Sequence, residues 1–236
     1  ARPPVASGAL GAIRLVQVEY PQDWLATNIE ASGQKQAAWR TDPARAGEGG
    51  SIGDIGTHAF HLAGFVCGMQ PTSLLADLTS FVPGRVLDDN AHILLRYASG
   101  ARGMLWASQV AAGQENALRL RVYGETGSLE WFQENPNQLF HRPLGEPMRM
   151  LTRGGSGLSA SVATRIPAGH PEGFIEGFAT LYSDFADLIA SSDAIRDCNE
   201  DDPSRLLPTV ADGVKGVRFV AAAVESMANG SSWVTL

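Results

Sequence analysis

Hydrophobic and polar positions change period several times along this chain, and each change marks an element. Residues 13–20 (IRLVQVEY) alternate, with Val16, Val18 and Tyr20 facing opposite to Gln17 and Glu19, which predicts a strand. A polar connection with little periodicity covers residues 21–48 and carries Trp24, Lys35, Trp39 and Arg40. Connections of that length in compact domains are often functional. Apolar residues then recur at Ile52, Ile55, Ala59, Leu62 and Val66, the spacing of one buried helical stripe that ends near Gly68. After Pro71 the period becomes two. Strands are predicted over 72–82, 90–97, 102–111, 118–123 and 129–132, with edge strands at 138–142 and 148–152. Ser99-Gly100 and Gly124-Glu125-Thr126-Gly127 supply hairpin turns between neighbours. Helical spacing returns at Phe174, Phe178, Leu181, Tyr182, Phe185, Leu188 and Ile189, and again at Val210, Val214, Val217, Ala221 and Val224. Asp202-Pro203 and Pro208 give start signals ahead of the last helix, and residues 233–236 read as a short final strand.

Consecutive strands joined by short turns predict an antiparallel meander rather than alternating βαβ units. The fold class is therefore α+β: a large, mostly antiparallel open sheet with helices on one face, in a single domain spanning 1–236. Three helices cannot cover both faces of a sheet with so many strands. Yet both faces carry apolar residues, since Leu94 opposes Ile93 and Leu95, while Met104 and Trp106 oppose Leu105 and Ala107. The uncovered face is expected to pack on a second copy, giving a homo-oligomer.

Residues 47–61, GEGGSIGDIGTHAFH, carry the strongest chemical signal. Gly47, Gly49 and Gly50 permit a bend that side chains would block. Ser51 suits an N-cap, with Asp54 three residues on as its capping-box partner. Asp54, His58, His61 and Phe65 share a stripe different from the apolar one, so Asp54 and His58 project together away from the core. An imidazole beside a carboxylate is a usable proton acceptor near neutral pH, and the carboxylate can fix its tautomer. The plainer alternative is that Asp54 caps the helix while His58 belongs to a polar surface cluster. A metal site built from Asp54, His58 and His61 is a further alternative, weakened by the lack of another ligand at a telling spacing. His170, in GHPEGF before a periodic helix, either marks helix initiation, with Pro171 at N1 and Glu172 in the first turn, or is held toward a ligand. His92 and His141 read as solvent-facing.

Composition narrows the classes. With 44% hydrophobic and 18% charged residues the chain can bury a substantial core. A net charge of −7 without a basic run argues against a nucleic-acid partner. No apolar run approaches the ~20 residues of a membrane span, and ARPPVASGALGA lacks the apolar centre of a signal peptide and an obvious first element. That end reads as a cut end rather than a natural start. Cys67 and Cys198 have no metal or CxxC spacing, Cys67 reading as a buried thiol, so a reducing, cytoplasmic compartment is expected, with a single disulfide between the two as the alternative. The dinucleotide fingerprint GxGxxG is absent, since Gly47-x-Gly49 fails to match at Ile52. GxxxxGK[ST], GxSxG and HExxH are absent too, and Ser156 within GGSG reads as a flexible loop.

These residues together resemble the C-terminal domain of the Gfo/Idh/MocA family, the nicotinamide-dependent oxidoreductases that include glucose–fructose oxidoreductase and inositol dehydrogenase. The matching segments are SGALGAIRLVQVEY, QDWL, WRTDPARAGEGGSIGDIGTHAFHLAGFVCG, DDNAHILLRYASGARG, LRVYGETGSLEW, GHPEGFIEGFATLY and PTVADGVKGVRFVAAAVES, in family order. The resemblance implies a sheet like that of the glyceraldehyde-3-phosphate dehydrogenase C-terminal domain. It also implies an upstream Rossmann domain, absent from this sequence, that holds NAD or NADP and an active-site lysine in a Glu-Lys-Pro segment. Carried over from the glycine–DxGxH motif, Asp54 and His58 are the implied catalytic pair. Hydride would pass between a sugar or cyclitol carbinol carbon and the nicotinamide, with His58 exchanging the hydroxyl proton. Trp39, Arg40 and His170 fall where substrate contacts are expected, the plainer alternatives being a core aromatic for Trp39 and a surface ion pair for Arg40. Many family members have an acidic residue three positions after the motif histidine, where this chain has His61. The chain alone is expected to bind no cofactor and to be inactive. A non-catalytic carbohydrate-binding member, or a metal-dependent isomerase or hydrolase, are the competing classes.

Overall fold

The alternation of Val16, Val18 and Tyr20 against Gln17 and Glu19 is realised in β1 (Ile13–Pro21), which lies inside the sheet rather than at its edge. The structure is a computed structural model that describes residues 1–154, 164–190 and 207–236. Ser156, Cys198 and Asp202-Pro203 lie outside the described residues. The other strands are β2 (Pro71–Thr79), β3 (Asn90–Tyr97), β4 (Arg102–Ser108), β5 (Arg119–Gly124), β6 (Gly127–Phe132), β7 (Gln138–Pro143), β8 (Arg149–Thr152) and β9 (Val234–Thr235). They form one nine-stranded sheet in the order β8-β7-β6-β5-β1-β4-β3-β2-β9.

The sheet is open and mostly antiparallel, as the alternation predicts, but it is not an uninterrupted meander. The first strand wedges between β4 and β5, parallel to β4 and antiparallel to β5. Val18 then meets Leu105 on one side and Leu120 on the other, so one inward stripe crosses three strands. Residues 109–118, between β4 and β5, are long enough to admit the extra strand, and that excursion is what the expected meander left out.

The inward face packs on two helices. One is α4 (Thr57–Cys67), which buries Ala59, Phe60, Ala63 and Val66, and the other is α6 (Val210–Ala228), which buries Phe219, Ala222 and Ala223. Phe60 stacks on Phe219 with ring centroids 4.3 Å apart, fixing the two helices side by side. Ser226 Oγ accepts the Ala76 N–H at 2.9 Å and so pins α6 to the sheet. The stripe read from the sequence at Val210, Val214 and Val217 is therefore not the core face of α6; those side chains are exposed. Burial follows the smaller alanines, which let the helix approach the sheet closely.

Short helices fill regions that the sequence reading left unstructured. The N-terminal segment forms α1 (Arg2–Ala6) against α4, with the Arg2 guanidinium 4.6 Å from the Phe65 ring centre. The connection after β1 contains a 3-10 turn (Ile29–Ser32), α2 (Lys35–Arg40) and α3 (Pro43–Ala46). Gln34 and Asp42 cap the last two with side-chain oxygens. A buried hub ties this connection to the β2–β3 loop. The Arg85 side chain, 1% exposed, donates to both Glu30 carboxylate oxygens at 2.9 Å, to Asp89 Oδ2 at 3.0 Å and to the Leu25 carbonyl at 2.9 Å.

The helix α5 (Phe174–Ala190) has the expected apolar spacing, yet Phe174, Phe178, Tyr182 and Phe185 are exposed and it buries none of its residues. Pro171 and Glu172 precede this helix instead of forming its first turn. Glu172 is buried, accepts the Arg165 and Ile166 amides, and pairs with Arg153 at 2.6 Å. On the open sheet face Leu15, Leu94 and Met104 are exposed beside a lattice of Glu19, Arg119, Arg121, Glu130 and Arg142. No helix among the described residues is long and apolar enough to cross a membrane.

Candidate active site

The glycine-rich turn is shaped by close approach as much as by freedom of φ. Gly47 adopts φ +86°, while a Cβ on Gly50 would lie 2.0 Å from the Asp88 carbonyl oxygen. That approach lets Asp88 close the start of the helix. Its carboxylate accepts the Gly50 N–H at 2.6 Å, the Ser51 hydroxyl at 2.6 Å and the Ile52 N–H at 2.9 Å. Burial pushes the Asp88 carboxyl above its ordinary value, against the downward pull of the Ser51, Ile52 and Gly50 bonds. Ser51 therefore makes no cap bond of its own, and Asp54 is not its capping-box partner. The long-range anchor takes the place that the local motif would have filled.

Freed from capping, Asp54 turns elsewhere. It sits in a π-helical turn (Ile52–Gly56) that leads directly into α4. Such turns widen the helix by one residue, so α-helical i, i+4 spacing does not hold through Asp54. Its Oδ2 accepts Arg40 Nε at 3.0 Å and Gln109 Nε2 at 2.7 Å. The Arg40 guanidinium lies 4.3 Å from the Trp39 ring centre and 5.7 Å from that of Trp24. Arg40 also donates to Gln36 Oε1, which accepts Trp39 Nε1 as well. Arg40 is thus an ion-pair partner of Asp54 rather than a free donor.

His58 is exposed on the next turn, edge-on to Tyr20 with ring centroids 6.4 Å apart. The Tyr20 hydroxyl donates to Asn116 Oδ1 at 2.7 Å, which holds that ring in place. No hydrogen bond joins His58 to Asp54 in this structure. His61 is exposed as well and stacks on Phe65.

A cleft of about 800 Å³ collects these groups. Trp39, Arg40, Asp54, His58 and His61 line one side, and α6 faces them with Thr209, Asp212, Gly213, Lys215 and Val217. Thr209 and Asp212 close a capping box at the start of α6, and Lys215 Nζ lies 3.3 Å from Asp212 Oδ1. The Thr209 backbone bond, followed by the Lys215 and Thr209 side-chain bonds, holds the Asp212 carboxyl below its ordinary value despite partial burial. His170 is not brought into this cleft; it is exposed, with Nδ1 3.2 Å from the Pro167 carbonyl. Of the histidines read as solvent-facing, His92 is exposed and stacks on Trp106. His141 is instead half-buried on the inward side of β7, with its Nε2 buried and unpartnered among the described residues.

Three contributors escaped the sequence reading. Gln109 carried a legible signal, because it follows Leu105 and Ala107 at the inward parity, where a polar residue is out of place. Asp88 carried only the Asp88-Asp89 doublet before a strand. Lys215 looked like an ordinary charge on an amphipathic helix.

No group of three histidine, cysteine, aspartate or glutamate side chains converges as a metal site among the described residues. The glycine turn and helix start that could have received a pyrophosphate are already filled by the Asp88 carboxylate. The described residues thus form no phosphate cradle there.

Residues 1–130 match the family model described as GFO/IDH/MocA C-terminal domain. An uncharacterised oxidoreductase of Bacillus subtilis is 35% identical over 98% of this chain, which covers 59% of that protein. The crystal structure of an oxidoreductase from Sinorhizobium meliloti is 48% identical with a TM-score of 0.83, over 99% of this chain and 60% of that one. An inositol dehydrogenase homologue from Azotobacter vinelandii, complexed with NADH and myo-inositol, is 35% identical with a TM-score of 0.87, over 100% of this chain and 60% of that one. The chain thus spans about three fifths of the length of the relatives it matches.

Proposed function

This chain belongs to the GFO/IDH/MocA family, and we propose that it is the substrate-side domain of an NAD(P)-dependent oxidoreductase acting on a sugar or cyclitol. Hydride would be exchanged at a carbinol carbon. The observation that carries the reading is the shared cleft wall of Asp54 and His58, flanked by Trp39 and Arg40. The relative solved with NADH and myo-inositol supports the substrate class and the cofactor. NAD or NADP would be held by a dinucleotide-binding domain of the kind the family resemblance implies, and would there supply the hydride acceptor or donor.

The residues of this chain would do the rest. His58, the exposed imidazole of that wall, would take or return the hydroxyl proton, a role worth roughly 10²–10⁴-fold in rate. Asp54 places a negative charge one turn away and is held there by Arg40 and Gln109. Trp39 offers an apolar ring for the C–H surface of a sugar. The isolated chain would be inactive and would bind NADH weakly. Calorimetry is expected to find no sub-micromolar NADH affinity, and finding one would overturn the division of labour. In the full-length protein, NAD(P)-linked oxidation across a panel of sugars and cyclitols should reveal turnover. Sugar binding without turnover on any of them would favour a non-catalytic carbohydrate binder instead.

The open sheet face is the proposed oligomer interface. Leu15, Leu94 and Met104 form its apolar centre, and the Glu19–Arg119–Glu130–Arg142 lattice its charged flank. Light scattering is expected to give a dimer or larger assembly at micromolar concentration, and Leu94→Glu is expected to dissociate it. A stable monomer would count against the interface. A cytoplasmic location belongs to the same reading. Burial pushes the Cys67 thiol up to about 12, which keeps it inert and in keeping with a reducing compartment.

A further inference from the structure

Building on the proposed role of the Asp54/His58 wall, we infer that Gln109 is a positioning residue that sets the Asp54 carboxylate for its work on substrate. Gln109 does not line the cleft and is 2% exposed, yet its Nε2 reaches Asp54 Oδ2 at 2.7 Å. The backbone that carries it is fixed from two sides. Its N–H donates to the Asp89 carbonyl at 2.8 Å, and its carbonyl accepts the Leu25 N–H at 3.0 Å. The amide group therefore comes from a rigid support beneath the cleft floor.

Arg40 reaches the same carboxylate oxygen at 3.0 Å from the cleft wall. Two donors on Oδ2 hold the rotamer of Asp54 and leave Oδ1 as the oxygen without a protein donor among the described residues. That asymmetry is what a working carboxylate needs: one oxygen anchored, the other available to an imidazole or a hydroxyl. Packing alone does not explain the residue. An apolar side chain of similar size would fill an inward position beyond Ala107 without desolvating an amide, which costs free energy unless it is hydrogen-bonded. The buried amide is retained where its bond goes to Asp54.

A structural role and a positioning role make different demands on kinetics. In the full-length protein, Gln109→Leu is expected to lower kcat about 10- to 100-fold, the scale of a small misplacement of a reacting group. KM should stay within about threefold, and the melting temperature should be close to that of the parent. In an Asp54→Asn background the same substitution should cost less than about twofold more, because its effect passes through Asp54. An unchanged kcat overturns the inference, and so does a kcat loss that persists undiminished in the Asp54→Asn background. If Gln109→Leu fails to fold, Gln109→Glu keeps the shape and replaces the donor by a second carboxylate, so kcat should fall at least as far. A Gln109→Glu protein with parental turnover would overturn the inference. His58→Ala run in parallel separates the two levels. Full activity in His58→Ala removes the underlying reading and this inference with it. Loss in His58→Ala with no loss in the Gln109 variants overturns the Gln109 role alone.

Discussion

Replacing His58 by alanine in the full-length protein is expected to lower kcat by roughly 10²–10⁴-fold, the range for losing a general acid–base group. KM should move by less than about threefold. The split follows from where His58 stands. It is exposed at the cleft wall, its ring touches Tyr20 edge-on, and no protein hydrogen bond occupies it among the described residues. Its removal therefore takes away a proton acceptor without collapsing the wall that binds substrate. His58→Gln, which keeps a polar group of similar reach but cannot carry the proton at neutral pH, should fall nearly as far. A variant with a raised KM and an unchanged kcat would make His58 a binding residue and remove it from proton transfer.

Replacing Arg85 by alanine is expected to cost about 3–5 kcal/mol of stability, because it leaves the buried Asp89 carboxylate and the partly buried Glu30 carboxylate without their counter-charge. The Asp89 side chain is 0% exposed and that of Glu30 17%, so in the intact fold Asp89 is shielded from water and relies on the guanidinium. The Leu25 and Thr27 carbonyls lose their donor as well. Arg85→Lys retains the charge but cannot span all four partners, so an intermediate loss is expected. Urea unfolding measures both, and a loss below about 1 kcal/mol for Arg85→Ala would contradict the hub. The same pair has a pH signature. Burial raises the Glu30 carboxyl, but the Arg85 hydrogen bond and charge outweigh it, and the net displacement is downward. A lowered carboxyl contributes stability that is present above its unfolded value and is lost as pH falls through the folded one. Acid unfolding should therefore move to higher pH in Arg85→Ala.

The stability hub and the candidate site meet at Leu25. This residue is buried, its carbonyl is held by Arg85 and its N–H by the Gln109 carbonyl. The connection that carries Trp39 and Arg40 is thus moored to the same backbone that supports the amide on Asp54. Loss of Arg85 should loosen the cleft wall as well as lower stability.

Much of this was legible from the pattern of the chain, and the failures have physical causes. Strand alternation placed β3 at its observed limits because its faces differ sharply, with Ile93 and Leu95 buried and Leu94 exposed. The insertion of β1 between β4 and β5 was illegible, since alternation says which face is buried but not which strands pair. The glycine turn was legible, but the cap was not. Asp88 lies 37 residues beyond Ser51, and a local motif search supplies Asp54 in its place. The π-turn was hidden for the same reason, because its hydrogen bonds follow from tertiary anchoring rather than propensity. For α6 the bulky valines drew attention away from the alanines, which let the helix approach the sheet. Asp54, His58, Trp39 and Arg40 come together in one cleft, and His170 stands apart from it.

The most direct measurement is a crystal structure of the full-length protein with nicotinamide cofactor and a sugar or cyclitol that it turns over. Proton transfer by His58 requires one of its ring nitrogens within hydrogen-bond reach, about 2.6–3.2 Å, of the reacting hydroxyl oxygen. It also requires Asp54 Oδ2 to remain on Arg40 and Gln109. A substrate bound away from the Asp54/His58 wall, or an imidazole turned from the reacting carbon with another residue on its hydroxyl, would contradict it.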